Sequence, residues 1–129
     1  MNDPIKEKLN DILDSCLKIE KMISEVDVGD FLLNNTFKVS VIQDAVLRRI
    51  TIIGEASAYL LSKHEDFCMH HPELPLIEAR GMRNYIVHEY DEIDLNSIWV
   101  TAKYDIPELA KSIKNLFINE EKNKRVMML

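Results

Sequence analysis

"VSVIQDAVLRRITIIGEASAYLL", residues 39–61, decides the fold. Val39, Ile42, Val46, Ile50, Ile53, Ala56, Leu60 and Leu61 recur at steps of three and four, with Leu61 widening the face. That is the spacing of one apolar face of an α-helix, and it predicts a helix from about Asn35 to His64. Gly54 falls in the middle, where glycine is unfavourable by roughly 1 kcal/mol against alanine. Such a glycine makes sense where a second helix comes close, so the stretch predicts a helix and a packing site on it.

Outward from this segment the same period repeats. Ile5, Leu9, Ile12, Cys16, Ile19, Ile23 and Val26 form one stripe over 4–26, opened by Asp3 as cap and Pro4 at the first helical position. "DVGD" (27–30) ends that helix, and "EDFCMHHPELP" (65–75) reads as the one clear loop. A third helix is expected from Pro75 to about Glu89. A fourth is capped by Asp94 and carries Leu95, Ile98, Trp99 and Ala102. A fifth begins at "DIPELAKSIKNLF" (105–117), where Asp105 and Glu108 have capping-box spacing. No stretch reads as a strand, and there is no repeat or linker. Long amphipathic helices with short connections predict an all-α antiparallel bundle of four to five helices. It forms a single domain over 1–120, with 121–129 as a frayed tail.

Bulk composition excludes several classes. At 129 residues and 47% hydrophobic, the chain can bury one domain core. No apolar run approaches the ~18–20 residues of a membrane span. The opening "MNDPIKEKLND" is charged throughout, so no signal peptide is expected. Cys16 and Cys68 form no disulfide framework and suit a reducing cytosol. The net charge of −6 argues against a protein that coats nucleic acid non-specifically, so any such contact needs a local basic patch.

The third helix concentrates chemistry. In "GMRNYIVHEY" (81–90), set Arg83 at zero on a wheel of about 100° per residue. Arg80 falls at about 60°, Asn84 at about 100° and His88 at about 140°. Met82, Ile86 and Ala79 lie on the other side, from about 260° to about 320°. One side packs; the other presents two guanidinium groups, an amide and an imidazole. These groups suit RNA cleavage, because RNA carries its own nucleophile in the 2′-hydroxyl. An imidazole moves the protons, an arginine fork binds phosphate oxygens, and Asn84 can orient either. That chemistry calls for no metal and no cofactor. A merely solvated helix face has the same composition, so the residues alone leave both readings open. The arc of about 140° between Arg83 and His88 is awkward for one phosphate, and two copies of the helix across a twofold axis would resolve it.

The company of the motif goes further. "GMRNYIVHEY" followed by "DEIDLNSIW", with "VLRRITIIGEASAYL" (46–60) before it and "DIPELAKSI" after it, resembles the HepT-like toxins, a branch of the HEPN-domain ribonucleases. The resemblance covers nearly the whole chain in order. It implies a dimeric helical bundle that cleaves RNA without metal through Arg83 and His88, with Asn84 as the family's polar residue after the arginine; Arg80 is the supporting polar group that the wheel adds. It also implies a cognate antitoxin, an MntA-like minimal nucleotidyltransferase that adenylylates Tyr90. Leu76 departs from the family, where tryptophan is common after the proline; this alters packing and leaves the chemistry untouched.

Other candidates have plainer readings. His64, Asp66, Cys68, His70 and His71 crowd one loop, but their spacing matches no recognised metal site. Glu55 is expected to form an ion pair with Arg49 or Arg83. Arg48 and Arg49 read as surface residues, and Trp99 and Tyr104 as core and interface anchors. Two further functions remain open on the residues alone: a non-catalytic subunit that presents substrate or nucleotide to a nucleotidyltransferase, and a structural dimerisation bundle.

Overall fold

The structure, a computed structural model, describes residues 1–33 and 35–128. Its elements are α1 (Asp3–Ile23), α2 (Val28–Leu33), α3 (Phe37–Lys63), α4 (Glu65–His70), α5 (Leu76–His88), α6 (Leu95–Val100), a π-helical turn (Thr101–Asp105) and α7 (Ile106–Met128). No strand occurs among the described residues. The all-α bundle expected from the periodicity is therefore what the chain forms.

The cap of α1 is Asn2, not Asp3: the Asn2 side chain accepts from the Ile5 amide at 3.0 Å, and Asp3 and Pro4 occupy the first helical turn. Thr36 caps α3 in the same way, accepting from the Val39 amide at 3.2 Å. Three contacts fix the helix directions. Lys8 lies over the Tyr59 ring at 4.8 Å, while Asp14 meets Arg49 at 4.0 Å. The α1 number rises as the α3 number falls, so these helices are antiparallel. Met1 beside Glu120 turns α7 antiparallel to α1. Leu9, Ile12, Cys16 and Ile19 of α1 are fully buried with Val46 and Leu60 of α3, Ile98 of α6 and Ile113 of α7. The stripes seen in the sequence are the core.

Two short helices stand where turns were expected. Beyond the end of α1, "DVGD" opens α2, because the Asp27 carboxylate accepts from the Asp30 amide and starts a new turn. That turn carries Phe31, fully buried, with its ring 5.2 Å from Trp99 and its carbonyl receiving the Gln43 amide. Residues 65–70, expected as loop, form α4, which leaves no residue fully buried.

The fourth and fifth expected helices are one rod from Leu95 to Met128. Asp105 is no cap; it sits exposed in the π-helical turn, whose widened bond runs from the Ile106 amide to the Thr101 carbonyl. Pro107 supplies the reason: it has no amide to donate, and its ring crowds the carbonyl four residues back. Opening one turn to the wider bond pattern lets the helix pass the proline without breaking. Over 121–128, where the sequence reads as a frayed tail, the chain continues as helix, exposed at every residue; Leu129 lies outside the described residues. Among the described residues no helix is long and apolar enough to cross a membrane.

Gly54 sits where a second helix comes close, and that helix is α5. A Cβ built on Gly54 would run into the Arg83 Cβ and lie 2.7 Å from the Ala79 carbonyl oxygen. A Cβ on Gly81, on the outer side of α5, would meet nothing within 4 Å. The two alanine substitutions should therefore have opposite signs. Gly54→Ala should destabilise by about 1–3 kcal/mol, since α5 must move. Gly81→Ala should stabilise by about 0.5–1 kcal/mol through the ordinary helix preference. Urea denaturation of both variants, followed by circular dichroism, checks the pair; equal shifts would contradict the packing.

Candidate active site

The Gly54 contact positions α5, and α5 positions the site. Leu76 and Ile86 are buried, and Ala79 and Met82 pack against the core from the side the wheel assigned to packing. Leu61 of α3 shares a concavity with Leu76, Ile77 and Arg80, while Gly54 meets Ala79 and Arg83. The two helices therefore run antiparallel, with the C-terminal half of α5 over the middle of α3.

Arg83 is the residue the wheel places least well. It does not stand free on the outer face. Its Cβ and Cγ rest on Gly54, it is half-buried, and its Nε is buried with no hydrogen-bond partner. None of the ion pairs among the described residues engages Arg83, Arg80 or His88. Arg80 is half-buried; Asn84 and His88 are exposed, with His88 the last residue of α5. A guanidinium held at its stem by backbone packing, with its head free of any ion pair among the described residues, offers its donors from a restricted position. Arg80, Arg83, Asn84 and His88 thus share one stretch of α5.

The loop after α5 is pinned at both ends. The Glu89 amide closes the helix on the Tyr85 carbonyl, and the Glu92 amide returns to the Glu89 carbonyl at 2.8 Å. The Asp94 amide donates to the Tyr85 hydroxyl at 2.8 Å, while Asp94 itself caps α6 through Asn96 and Ser97. Tyr90 rides on this loop at 71% exposure. Tyr85 is the residue that sequence reasoning missed. Beside Ile86 it reads as one more core aromatic, and only the return of the chain at Asp94 shows what its hydroxyl does.

The charge is more divided than the expected basic cleft. Arg80 and Arg83 stand on α5, but residues 89–94 bring Glu89, Asp91, Glu92 and Asp94. A polyanion is attracted to the α5 side and repelled from the loop, which directs it along one edge.

Of the remaining candidates, Glu55 resolves differently from its expectation. Glu55 is exposed and makes no ion pair among the described residues; Arg49 instead reaches Asp14, at the limiting distance of 4.0 Å. Arg48 is exposed. Trp99 packs on the core, whereas Tyr104 is 63% exposed. In the 64–71 cluster the rings have other partners: His64 lies against Tyr59, His71 against Phe67, and His71 bonds Glu73 at 2.8 Å. Among the described residues no group of three or more His, Cys, Asp or Glu is placed to hold a metal ion. Both cysteines are free. Burial, helped by the charge of Glu20, pushes the Cys16 thiol up to about 12, and burial beside Glu65 raises that of Cys68. Neither is an activated nucleophile.

Comparison with known proteins finds relatives along most of the chain. The family model described as ribonuclease HepT-like matches residues 12–116, which takes in all of α3 and α5. A Methanocaldococcus jannaschii protein named "Putative RNase MJ1380" is 34% identical over 110 residues, 85% of this chain and 94% of its own. A Thermococcus cleftensis protein named "Probable ribonuclease HepT" is 36% identical over 111 residues, 86% of this chain and 94% of its own. A third, from Caldanaerobacter subterraneus and named "Putative RNase TTE0752", is 32% identical over 113 residues, 88% of this chain and 94% of its own. No solved structure matches the chain.

The tether at Tyr85 is open to test. Tyr85→Phe keeps the ring and removes the acceptor for the Asp94 amide, a loss of about 1 kcal/mol. Amide exchange at Asp94 and along 89–94 should accelerate several-fold in the variant, with exchange in α3 unchanged. Unaltered protection at Asp94 would mean that the loop is held by other contacts.

Proposed function

This chain is a member of the ribonuclease HepT-like family, and from that premise we propose that it is a metal-independent RNA endonuclease, the toxin of a type VII-like toxin–antitoxin pair. The relatives' ribonuclease names support the activity. The observation that carries it in this chain is Arg83, whose buried Nε has no acceptor and whose head has no counter-charge among the described residues. The buried Nε is closed to a ligand, so a phosphate oxygen would meet the two Nη groups of the head.

In this reading the 2′-hydroxyl attacks the adjacent phosphorus, and the 5′-oxygen leaves as the 2′,3′-cyclic phosphate forms. His88 acts as base toward the 2′-hydroxyl proton or as acid toward the leaving oxygen. Arg83 meets the negative charge that builds on the phosphate oxygens, with Arg80 beside it. Asn84 orients imidazole or phosphate. A homodimer built on the outer face of α5 brings a second Arg83 and His88 to the same RNA. The exposure of Ile77 and Val87, with open space above Gly81, supports contact at that face.

The partner is a minimal nucleotidyltransferase acting as antitoxin. It transfers AMP from ATP to the Tyr90 hydroxyl, releasing pyrophosphate. The new phosphodiester adds negative charge and bulk next to Arg83 and Arg80 and competes with the RNA phosphate. The accessible Tyr90 on a pinned loop supports this role. The same accessibility favours a second reading, in which the bundle is a non-catalytic subunit that presents substrate to the transferase.

Cleavage separates the two readings. The wild type should cut RNA in EDTA and leave 2′,3′-cyclic ends, while Arg83→Ala and His88→Ala should each lose on the order of 10²-fold or more. Cyclic-phosphate mapping of the products is the measurement, and full activity in His88→Ala would reject the mechanism. With the neighbouring transferase, ATP and magnesium, intact-mass analysis should show added AMP on wild type and none at this position on Tyr90→Phe. Modified protein that cuts RNA unimpaired would remove Tyr90 from the control of activity.

A further inference from the structure

On the flank of α5 away from its outer face, an apolar groove of about 310 Å³ runs between α3, α5 and the start of α7. Ile53, Met82 and Leu109 line its floor, and Glu78, Asp105 and Glu108 stand on its rim. The lining holds no cation, and none of these three carboxylates enters an ion pair among the described residues. The groove is apolar inside and negative around its mouth, at the small end of ligand-sized cavities.

The far end of α7 has the opposite character. Lys122, Lys124 and Arg125 precede Val126, Met127 and Met128; Lys124 and Arg125 reach Glu120 and Glu121 one turn back only at 3.8 and 4.0 Å, exposed pairs that hold them weakly, and the three apolar residues are 69%, 87% and 87% exposed. Among the described residues nothing covers them. Methionine is unbranched and adaptable, well suited to filling a groove made by another surface. The end of α7 cannot reach the groove of its own chain. Leu109 in the groove and Met127 at the tip are joined by continuous helix, about 27 Å at about 1.5 Å per residue.

We propose that the C-terminal end of α7 docks in the Glu78–Asp105–Glu108 groove of a second copy of this chain. The last turn of α7, carrying Val126, Met127 and Met128 on three sides, enters the apolar floor end-on, and Lys122, Lys124 and Arg125 around it face the acidic rim. Each copy offers one tip and one groove, so a reciprocal exchange closes on two copies as an isologous contact. The groove and the outer face of α5 lie on opposite flanks of that helix, so this contact is separate from the one through which RNA would be cut. It does not depend on the ribonuclease reading.

Sedimentation analysis of the full chain across micromolar concentrations tests the proposal. No buried side chain is altered, because the tip and the rim are exposed. Met127→Asp with Met128→Asp should raise the self-association constant for dissociation at least tenfold. Glu108→Lys with Asp105→Lys should do the same, and adding Lys124→Glu with Arg125→Glu to that chain should restore it to within about threefold. Single-sided variants that associate as the parent chain does, a charge swap that rescues nothing, or a parent chain that shows no self-association would each overturn it. Every chain compared carries Val87→Arg, which disrupts contact through the outer face of α5, so that sedimentation reads the tip-in-groove contact alone.

Discussion

The close approach of α5 to α3 at Gly54 is the constraint on which the rest of the site depends. Only a residue without Cβ lets the Arg83 stem and the Ala79 carbonyl come so near. The contact does two things together. It sets the height of α5 on the bundle, and it lays the arginine's aliphatic stem on backbone instead of in water. An arginine on an open helix face samples many rotamers; one clamped at Cβ and Cγ presents its head from a restricted position. The glycine weakens α3 in isolation, and the packing it permits offsets that loss.

From this contact the remaining geometry follows along α5. The helix delivers Asn84 and His88 beyond the clamp, and then ends. Tyr85 reaches over the end to receive the Asp94 amide, so the loop bearing Tyr90 is closed by the same helix that carries Arg83. An arginine placed by a glycine and a tyrosine placed by a tyrosine's hydroxyl belong to one mechanical unit. The acidic residues of the loop give that unit a polarity, attractive to phosphate on the helix side and repulsive on the other.

Most of the bundle was legible in the sequence because its helices are long and its stripes regular. The periods of α1, α3 and α5 named core residues that are buried, from Leu9 and Cys16 to Ile53 and Ile86. The shortfalls share a cause. α2 and α4 have six residues each, too short for a period to declare itself. Asp105, Pro107 and Glu108 carry the local signature of a helix start, yet the chain runs through them, because the core on either side holds Ala102, Ile106 and Leu109 in one line. Tertiary packing overrode local capping preference there. Glu55 looked like half of an ion pair by composition, but it faces water, where a pair would add little.

The sequence by itself determined the helical class, the core stripes, the existence of a close contact at Gly54 and the gathering of Arg80, Arg83, Asn84 and His88 on one segment. These depend on spacing along a single helix, and the helical period is a local property. The tertiary structure alone decided which atoms meet: that the neighbour of Gly54 is Arg83 itself, that the guanidinium is left without a counter-charge among the described residues, that the Tyr85 hydroxyl holds Asp94, and that a proline becomes a π-helical turn. Those outcomes depend on how two helices settle against each other in a close-packed core, where a fraction of an ångström separates contact from clash.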